Sequence, residues 1–286
     1  MRTKQIFKKP KAFLPIPYYQ NLSLSGTYCE LNCPYCRGKY LKGMTDVSDP
    51  ERMRKILKHF ISRGVRGFLL SGGFNKSGYL IIKKEHLRVV AEIRKNYEVV
   101  FSIHLGLAPK ELVDDVWAAG IDFIDYEVPP SNTYLRVGKN LPAKEVRDYI
   151  ELMDYMLRYG EDFVVPHLVV ASTLSKSEEE LAVMREVSEV ADRIITVLIE
   201  IRGKGSKYDV TRVGNALRLA DRLFNEVSLG CMRPPSLKKY DEEWISEGLL
   251  DRIAVPHKSL IKKLGLEVVY SCCGVPQKLF NLFPKS

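Results

Sequence analysis

Cys29, Cys33 and Cys36 fall within the run Gly26–Gly38 at the spacing C-x3-C-x2-C. Three thiolates this close can hold three irons of one cubane iron–sulfur cluster and leave the fourth iron open. An open iron suits a cluster that binds a small molecule, whereas a storage or relay cluster takes four protein ligands. Structural zinc is the alternative, but a zinc knuckle wants a fourth Cys or His at short spacing. The nearest histidine, His59, lies on a predicted helix.

A second set of thiols lies toward the C-terminus. Cys231 follows the apolar run Val227–Gly230, and Cys272 and Cys273 form an adjacent pair before Gly274. Strand-end placement puts Cys231 at the mouth of a barrel, where the tail can fold its Cys pair back over it. Three soft ligands there can hold a second iron–sulfur cluster, with Arg233, Ser271 or substrate at the fourth position. The other reading is three unrelated buried thiols.

The elements that must position these groups read as alternating strands and helices. Ser48-Asp-Pro-Glu51 is a helix start with Pro50 at the first helical position. Met53, Ile56, Leu57, Phe60 and Ile61 then form one apolar helical face. Strands are expected at 21–25, 67–70, 98–103, 121–127, 163–171, 193–201, 226–230 and 251–255. Helices are expected around 85–96, 109–119, 143–159, 177–191, 211–225 and 239–249. Alternation over this length argues for an α/β fold with a parallel sheet and helices outside. Eight such units favour a (βα)8 TIM-type barrel over a doubly wound sheet, with chemistry at the C-terminal strand ends. On this reading residues 1–20 are a basic N-terminal arm, 21–256 the barrel and 257–286 a C-terminal extension carrying the Cys pair.

The 286 residues are 45% hydrophobic, enough for a large core. No run of 18 apolar residues and no signal peptide is found, so a cytoplasmic protein without membrane association is expected. Lys and Arg number 44 against 35 acidic residues, a net charge of +9. Such a balance favours acidic partners. Nucleic acid is one class of these, but no RNA- or DNA-binding motif supports it.

Other strand ends carry polar groups. Ser71-Gly-Gly73 follows the second strand, where glycines let backbone approach a ligand. Glu127 and Ser131 end the fourth. His104 ends the third strand and His167 sits within the fifth, between apolar neighbours. For both, a satisfied core histidine and a catalytic group facing the cavity are equally open.

With these motifs in hand, the chain resembles the biotin-synthase-related branch of the radical S-adenosylmethionine (SAM) superfamily, and within it the lipoyl-synthase subunits of archaea. The carrying segments are Tyr28–Cys36, Gly38–Met44, Gly67–Gly73, Val165–Val169 and Leu229–Pro234, together with Cys272-Cys273. The resemblance implies a [4Fe–4S] cluster on Cys29, Cys33 and Cys36 whose open iron binds SAM. It also implies SAM contacts from Tyr35, Ser71, Gly72, Gly73, Glu127 and Ser131, and catalytic roles for His104, His167 and Arg233. A second, auxiliary cluster on Cys231, Cys272 and Cys273 would donate sulfur. The implied substrate is an octanoyl chain on a lysine of an acidic carrier domain or peptide. A second lipoyl-synthase subunit and an electron donor are the implied partners. Sulfur insertion into a free small molecule, as in biotin synthase, is the first alternative. An iron–sulfur assembly or RNA-binding protein without SAM chemistry is the second. One departure stands out: after His167 the family pattern is a Gly-rich turn, but this chain reads Ala171-Ser-Thr-Leu-Ser-Lys-Ser177.

Overall fold

The computed structural model of the chain describes residues 9–34, 36–203 and 205–284. Its strands are β1 (Lys11–Phe13), β2 (Tyr19–Ser23), β3 (Thr45–Asp46), β4 (Gly67–Ser71), β5 (Val100–Ile103), β6 (Phe123–Val128), β7 (Val164–Val170), β8 (Ile194–Ile199), β9 (Glu226–Leu229), β10 (Arg252–Ala254) and β11 (Val268–Val269). The α-helices are α1 (Pro50–Ser62), α2 (Lys84–Asn96), α3 (Lys110–Ala118), α4 (Val146–Leu157), α5 (Ser177–Val190), α6 (Val210–Leu223), α7 (Asp241–Ser246) and α8 (Lys258–Leu264).

Local chemistry explains these boundaries. Asp49 caps α1 by accepting from the backbone N–H groups of Glu51 and Arg52, and Pro50 occupies the first turn. Every residue of β7 and of β8 is buried, as parallel strands covered on both faces require. The helices pack their apolar faces, such as Met53 and Leu57 of α1, onto the outside of the sheet.

All strand pairs are parallel, in the order β11-β1-β10-β9-β8-β7-β6-β5-β4-β2-β3. The α/β class and the parallel sheet are as expected from the sequence. The strand count is not: eleven described strands form a curled sheet whose edges β11 and β3 are not paired with each other. The eight-stranded closed ring is therefore replaced by a curled partial barrel. The additions are β1, β3 and β11. Of the arm expected over 1–20, residues 1–8 lie outside the described residues. Lys11–Phe13 is a strand held between β10 and β11, and β2 begins at Tyr19.

The C-terminal extension also differs from expectation. It does not lie over the mouth. Phe280 and Phe283 pack with Phe13, Tyr19, Phe123, Val165 and Ile194, residues at or near the strand starts. The tail thus plugs the N-terminal end of the curl and sends its cysteines inward from there. No helix among the described residues is long and apolar enough to cross a membrane.

Candidate functional site

The first cysteine loop connects β2 to Lys39–Gly43. Positive φ angles at Asn32, Arg37 and Gly38 fold it tightly. The backbone N–H groups of Cys36 and Arg37 both donate to the Cys33 carbonyl, at 3.1 and 2.8 Å. This turn brings the Cys33 and Cys36 side chains into hydrogen-bond contact. That contact lowers the Cys36 thiol to about 6, while the same contact and burial push Cys33 up. Cys29 Sγ accepts from the Phe74 N–H at 3.3 Å.

Glycine 73 is needed for this loop to sit where it does. A Cβ there would lie 1.9 Å from the Tyr28 carbonyl oxygen and 2.5 Å from Cys29 Cα. Its N–H donates to Ser25 Oγ at 2.6 Å. Gly72, at φ 157°, faces Ser25 as well. The Gly72-Gly73 turn is thus the seat of the cysteine loop. Ser71 Oγ is 3.2 Å from His104 Nδ1. Tyr35 lies outside the described residues.

One wall beside the first loop is an ion pair that sequence reading missed. Lys139 Nζ donates to Glu127 at 2.8 Å, and Tyr134 OH also reaches that carboxylate at 3.3 Å. Burial works against the charged Glu127, but the ammonium beside it holds its carboxyl below the ordinary range. The Lys139 carbonyl is 3.5 Å from Cys33 Sγ. A lone lysine in a polar loop gives no signal in a sequence. Ser131, expected near the same ligand, has its hydroxyl committed locally: it donates to Leu174 O at 2.9 Å and accepts from Tyr134 N at 3.0 Å.

The second cysteine group converges inside the curl. Arg252 donates to the carbonyls of Cys273 and Val275, at 2.9 and 2.7 Å, and is ion-paired to Glu226 at 2.6 Å. Gln277 holds the other Glu226 oxygen at 2.9 Å. These contacts fix the plug, so that Cys272 and Cys273 hydrogen-bond each other and Cys273 faces Cys231 and the Ser228 hydroxyl. Hydrogen bonding from Cys272 lowers Cys273 to about 6, while burial and Cys273 push Cys231 up to about 12. Cys231 nonetheless remains exposed to solvent. Cys272, His104, Glu127 and Lys139 likewise keep partial solvent contact while surrounded by protein. A hollow of about 440 Å³ near Trp117, Tyr159 and Lys278 lies at the opposite end of the strands, and no cysteine lines it.

His167 donates from Nδ1 to Val165 O at 2.8 Å, since a carbonyl can only accept. Its Nε2 is 3.6 Å from Asp125 Oδ1. Burial lowers His104 and favours its neutral form. Arg233, expected to be catalytic, is buried in an ion pair with Asp241 at 3.0 Å and also donates to Gly230 O and Ala254 O. Its guanidinium ties the end of β9 to α7 and β10.

The Gly-poor loop after β7 has its own support. Glu180 accepts from the N–H groups of Ala171 and Ser172, both at 3.1 Å, and pairs with Arg212 at 2.6 Å. Glu200 accepts from Thr173 N at 2.8 Å. Carboxylates hold this turn where glycines were expected, with Ala171 at φ 54°.

The first donor set suits a cluster better than a single ion. Among the described residues no three His, Cys, Asp or Glu side chains are placed to hold one metal ion. A cubane spreads its three thiolates wider than one ion does, and the first loop, with Cys29, Cys33 and Cys36 at C-x3-C-x2-C, has the three sulfurs that such a cluster takes.

A sequence profile of the Radical SAM superfamily matches residues 23–184. The chain belongs to the radical SAM superfamily. That superfamily uses a [4Fe–4S] cluster together with SAM. No curated protein sequence matches the chain. Among solved structures it is similar to HydG, a maturase of the [FeFe]-hydrogenase, with TM-score 0.67 and 13% identity over 97% of this chain and 67% of that one. Methylornithine synthase (PylB) gives TM-score 0.55 at 13% identity over 86% and 72%. Streptococcus suis SuiB, solved bound to S-adenosylmethionine, gives TM-score 0.51 at 16% identity. The match covers 85% of this chain and about half of SuiB, 51%. At these identities the likenesses speak for the fold alone. This radical SAM protein therefore has the curled parallel sheet of its superfamily, with a tail plug that carries two of its six cysteines.

Proposed function

We propose that this radical SAM protein inserts sulfur into an octanoyl chain on a lysine of an acidic carrier domain or peptide, as one subunit of a two-subunit lipoyl synthase. Cys29, Cys33 and Cys36 hold the SAM-binding cluster in this reading, and Cys231, Cys272 and Cys273 hold a second cluster. The observation that supports it is the gathering of the six cysteines into two groups of three. An enzyme that only cleaves SAM has no use for the second group. When bound, SAM and its cluster supply abstraction of hydrogen from an unactivated C–H bond, and the second cluster supplies sulfur.

The chain's own groups do the rest. The Phe74 N–H donates to Cys29, and the Cys33 thiol and the Lys139 ammonium favour thiolate at Cys36. Gly73 lets the loop seat, and the apolar curl limits access of bulk water. His104, neutral and hydrogen-bonded to Ser71, neighbours Asp125, His167, Glu127 and Lys139. The net charge of +9 suits an acidic carrier resting outside while its acyl chain enters. Lys9 and Lys11 of the basic arm do not serve this docking at the mouth. They are engaged with Leu264 O and Glu267 beside the start of β1. Arg2, Lys4 and Lys8 lie outside the described residues.

Anaerobic reconstitution with SAM, dithionite and an octanoylated carrier peptide tests the reading by mass measurement of the peptide. Sulfur gain by the peptide, weaker at high salt, is expected. Release of 5′-deoxyadenosine with an unchanged peptide would redirect the search to a free small-molecule substrate. No 5′-deoxyadenosine at all would favour a cluster carrier.

A further inference from the structure

Asp125 is the one described carboxylate with both oxygens buried and without a hydrogen-bond partner. It lies mid-way along β6, two residues from Phe123 and two from Glu127, so all three point to the inside of the curl. It is 3% exposed, and among the described residues neither carboxylate oxygen has a hydrogen-bond partner. An ionised carboxylate buried without a partner is costly, and such groups are normally paired or coordinate a metal. The one cationic candidate at hand, His167 Nε2, stands 3.6 Å from Oδ1, beyond hydrogen-bond range.

What Asp125 does face is the second cysteine group. A Cβ on Gly274, the residue after Cys273, would lie 2.5 Å from Asp125 Oδ1. Only glycine lets the plug pass this close. The Asp125 charge is felt at Cys231, Cys272 and Cys273 alike. Of the neighbouring candidates for a fourth ligand, the Ser228 hydroxyl is turned toward Cys273 and two others are occupied. Arg233 is spent on Asp241, and the Ser271 hydroxyl donates to Cys272 O at 3.2 Å.

We infer that the Asp125 carboxylate is the fourth protein ligand of the iron–sulfur cluster held by Cys231, Cys272 and Cys273. This rests on the proposed second cluster and adds an oxygen donor to it. Three thiolates and one carboxylate give three similar irons and one distinct iron. The distinct iron is more easily lost, because a carboxylate is a harder and weaker partner for it than a thiolate.

The test uses the full chain carrying C29S, C33S and C36S, so that only the second site can fill. Reconstituted anaerobically with ⁵⁷Fe, this parent should bind about four irons, with about a quarter of the iron in its own Mössbauer doublet. Adding D125N should change that doublet alone and speed oxidative loss of one iron, read as a three-iron EPR signal, by about tenfold. Adding D125C should instead give four alike, thiolate-ligated irons. D125N with the parent's spectrum and oxidation rate would overturn the inference while leaving the second cluster standing. A parent that binds no iron would overturn the second cluster, and the inference with it. If D125N takes up no iron, D125C decides: four alike irons support the ligand role, and a retained three-plus-one spectrum refutes it.

Discussion

Lys139 pairs with Glu127 at 2.8 Å through its ammonium while its own carbonyl lies 3.5 Å from the Cys33 sulfur. One residue thus ties the end of β6 to the first cysteine loop by both side chain and backbone. The pair is 18% and 34% exposed, so its worth is intermediate. It should fall between the ~1 kcal/mol of surface pairs and the ~3–5 kcal/mol lost on breaking buried ones. Lys139→Met should lower stability within that range in urea titrations. In metal-free protein it should also raise the pH midpoint for alkylation of Cys36 above about 6, because the ammonium favours that thiolate. An unmoved midpoint would remove Lys139 from the site.

Changing Cys29, Cys33 and Cys36 together to Ala should abolish 5′-deoxyadenosine formation by the reduced protein. Changing Cys231, Cys272 and Cys273 together should keep that product but remove about four irons and any sulfur transfer. Loss of SAM cleavage in the second variant, with its fold intact by circular dichroism, would contradict two separate sites.

Glu180 replaces the missing glycines of the loop after β7. Its removal leaves two buried N–H groups unpaired and strands Arg212. Glu180→Ala should therefore cost roughly 3–5 kcal/mol, visible as a lower urea midpoint. A cost under about 1 kcal/mol, the surface-pair range, would show that the loop holds itself.

Burial raises the Asp241 carboxyl from 3.8 to about 6 despite Arg233 beside it. The folded state therefore holds this proton more tightly than the unfolded chain. The associated stability is full below about pH 4 and is lost as pH rises through about 6. Urea midpoints across this window should fall more steeply for the parent protein than for Asp241→Asn. Parallel profiles would refute the assignment.

Much of the fold was legible because its long elements carry period. The turn Asp49-Pro50 and the apolar stripe of α1 were readable, as were the mostly apolar β7 and β8. Strands β1, β3 and β11 were not, since two or three residues show no period and are made strands only by their neighbours. The cysteine groups were visible from spacing and adjacency, but the direction of the plug was not, because it follows from Arg252 and Phe280 meeting partners far along the chain. Arg233 looked like chemistry and is held by Asp241. Asp125 left a signal that alternation could have found: it sits two residues before Glu127 on one strand, so both carboxylates share the inner face.

The position of β1 imposes an order on maturation. Among the described residues Lys11–Phe13 pairs only with residues 252–254 and 268–269, so the first described strand must wait for nearly the last. The first thiol triad, with its glycine seat and Lys139, is complete in a nascent chain long before the second. If the proposed second cluster forms, its site is complete only once residues 268–275 have emerged and the plug has docked, so the two sites would fill in sequence. A chain stopped after residue 256 should accordingly load about four irons, those of the SAM site alone, and a truncated chain that loads none would show that the two sites fill as one.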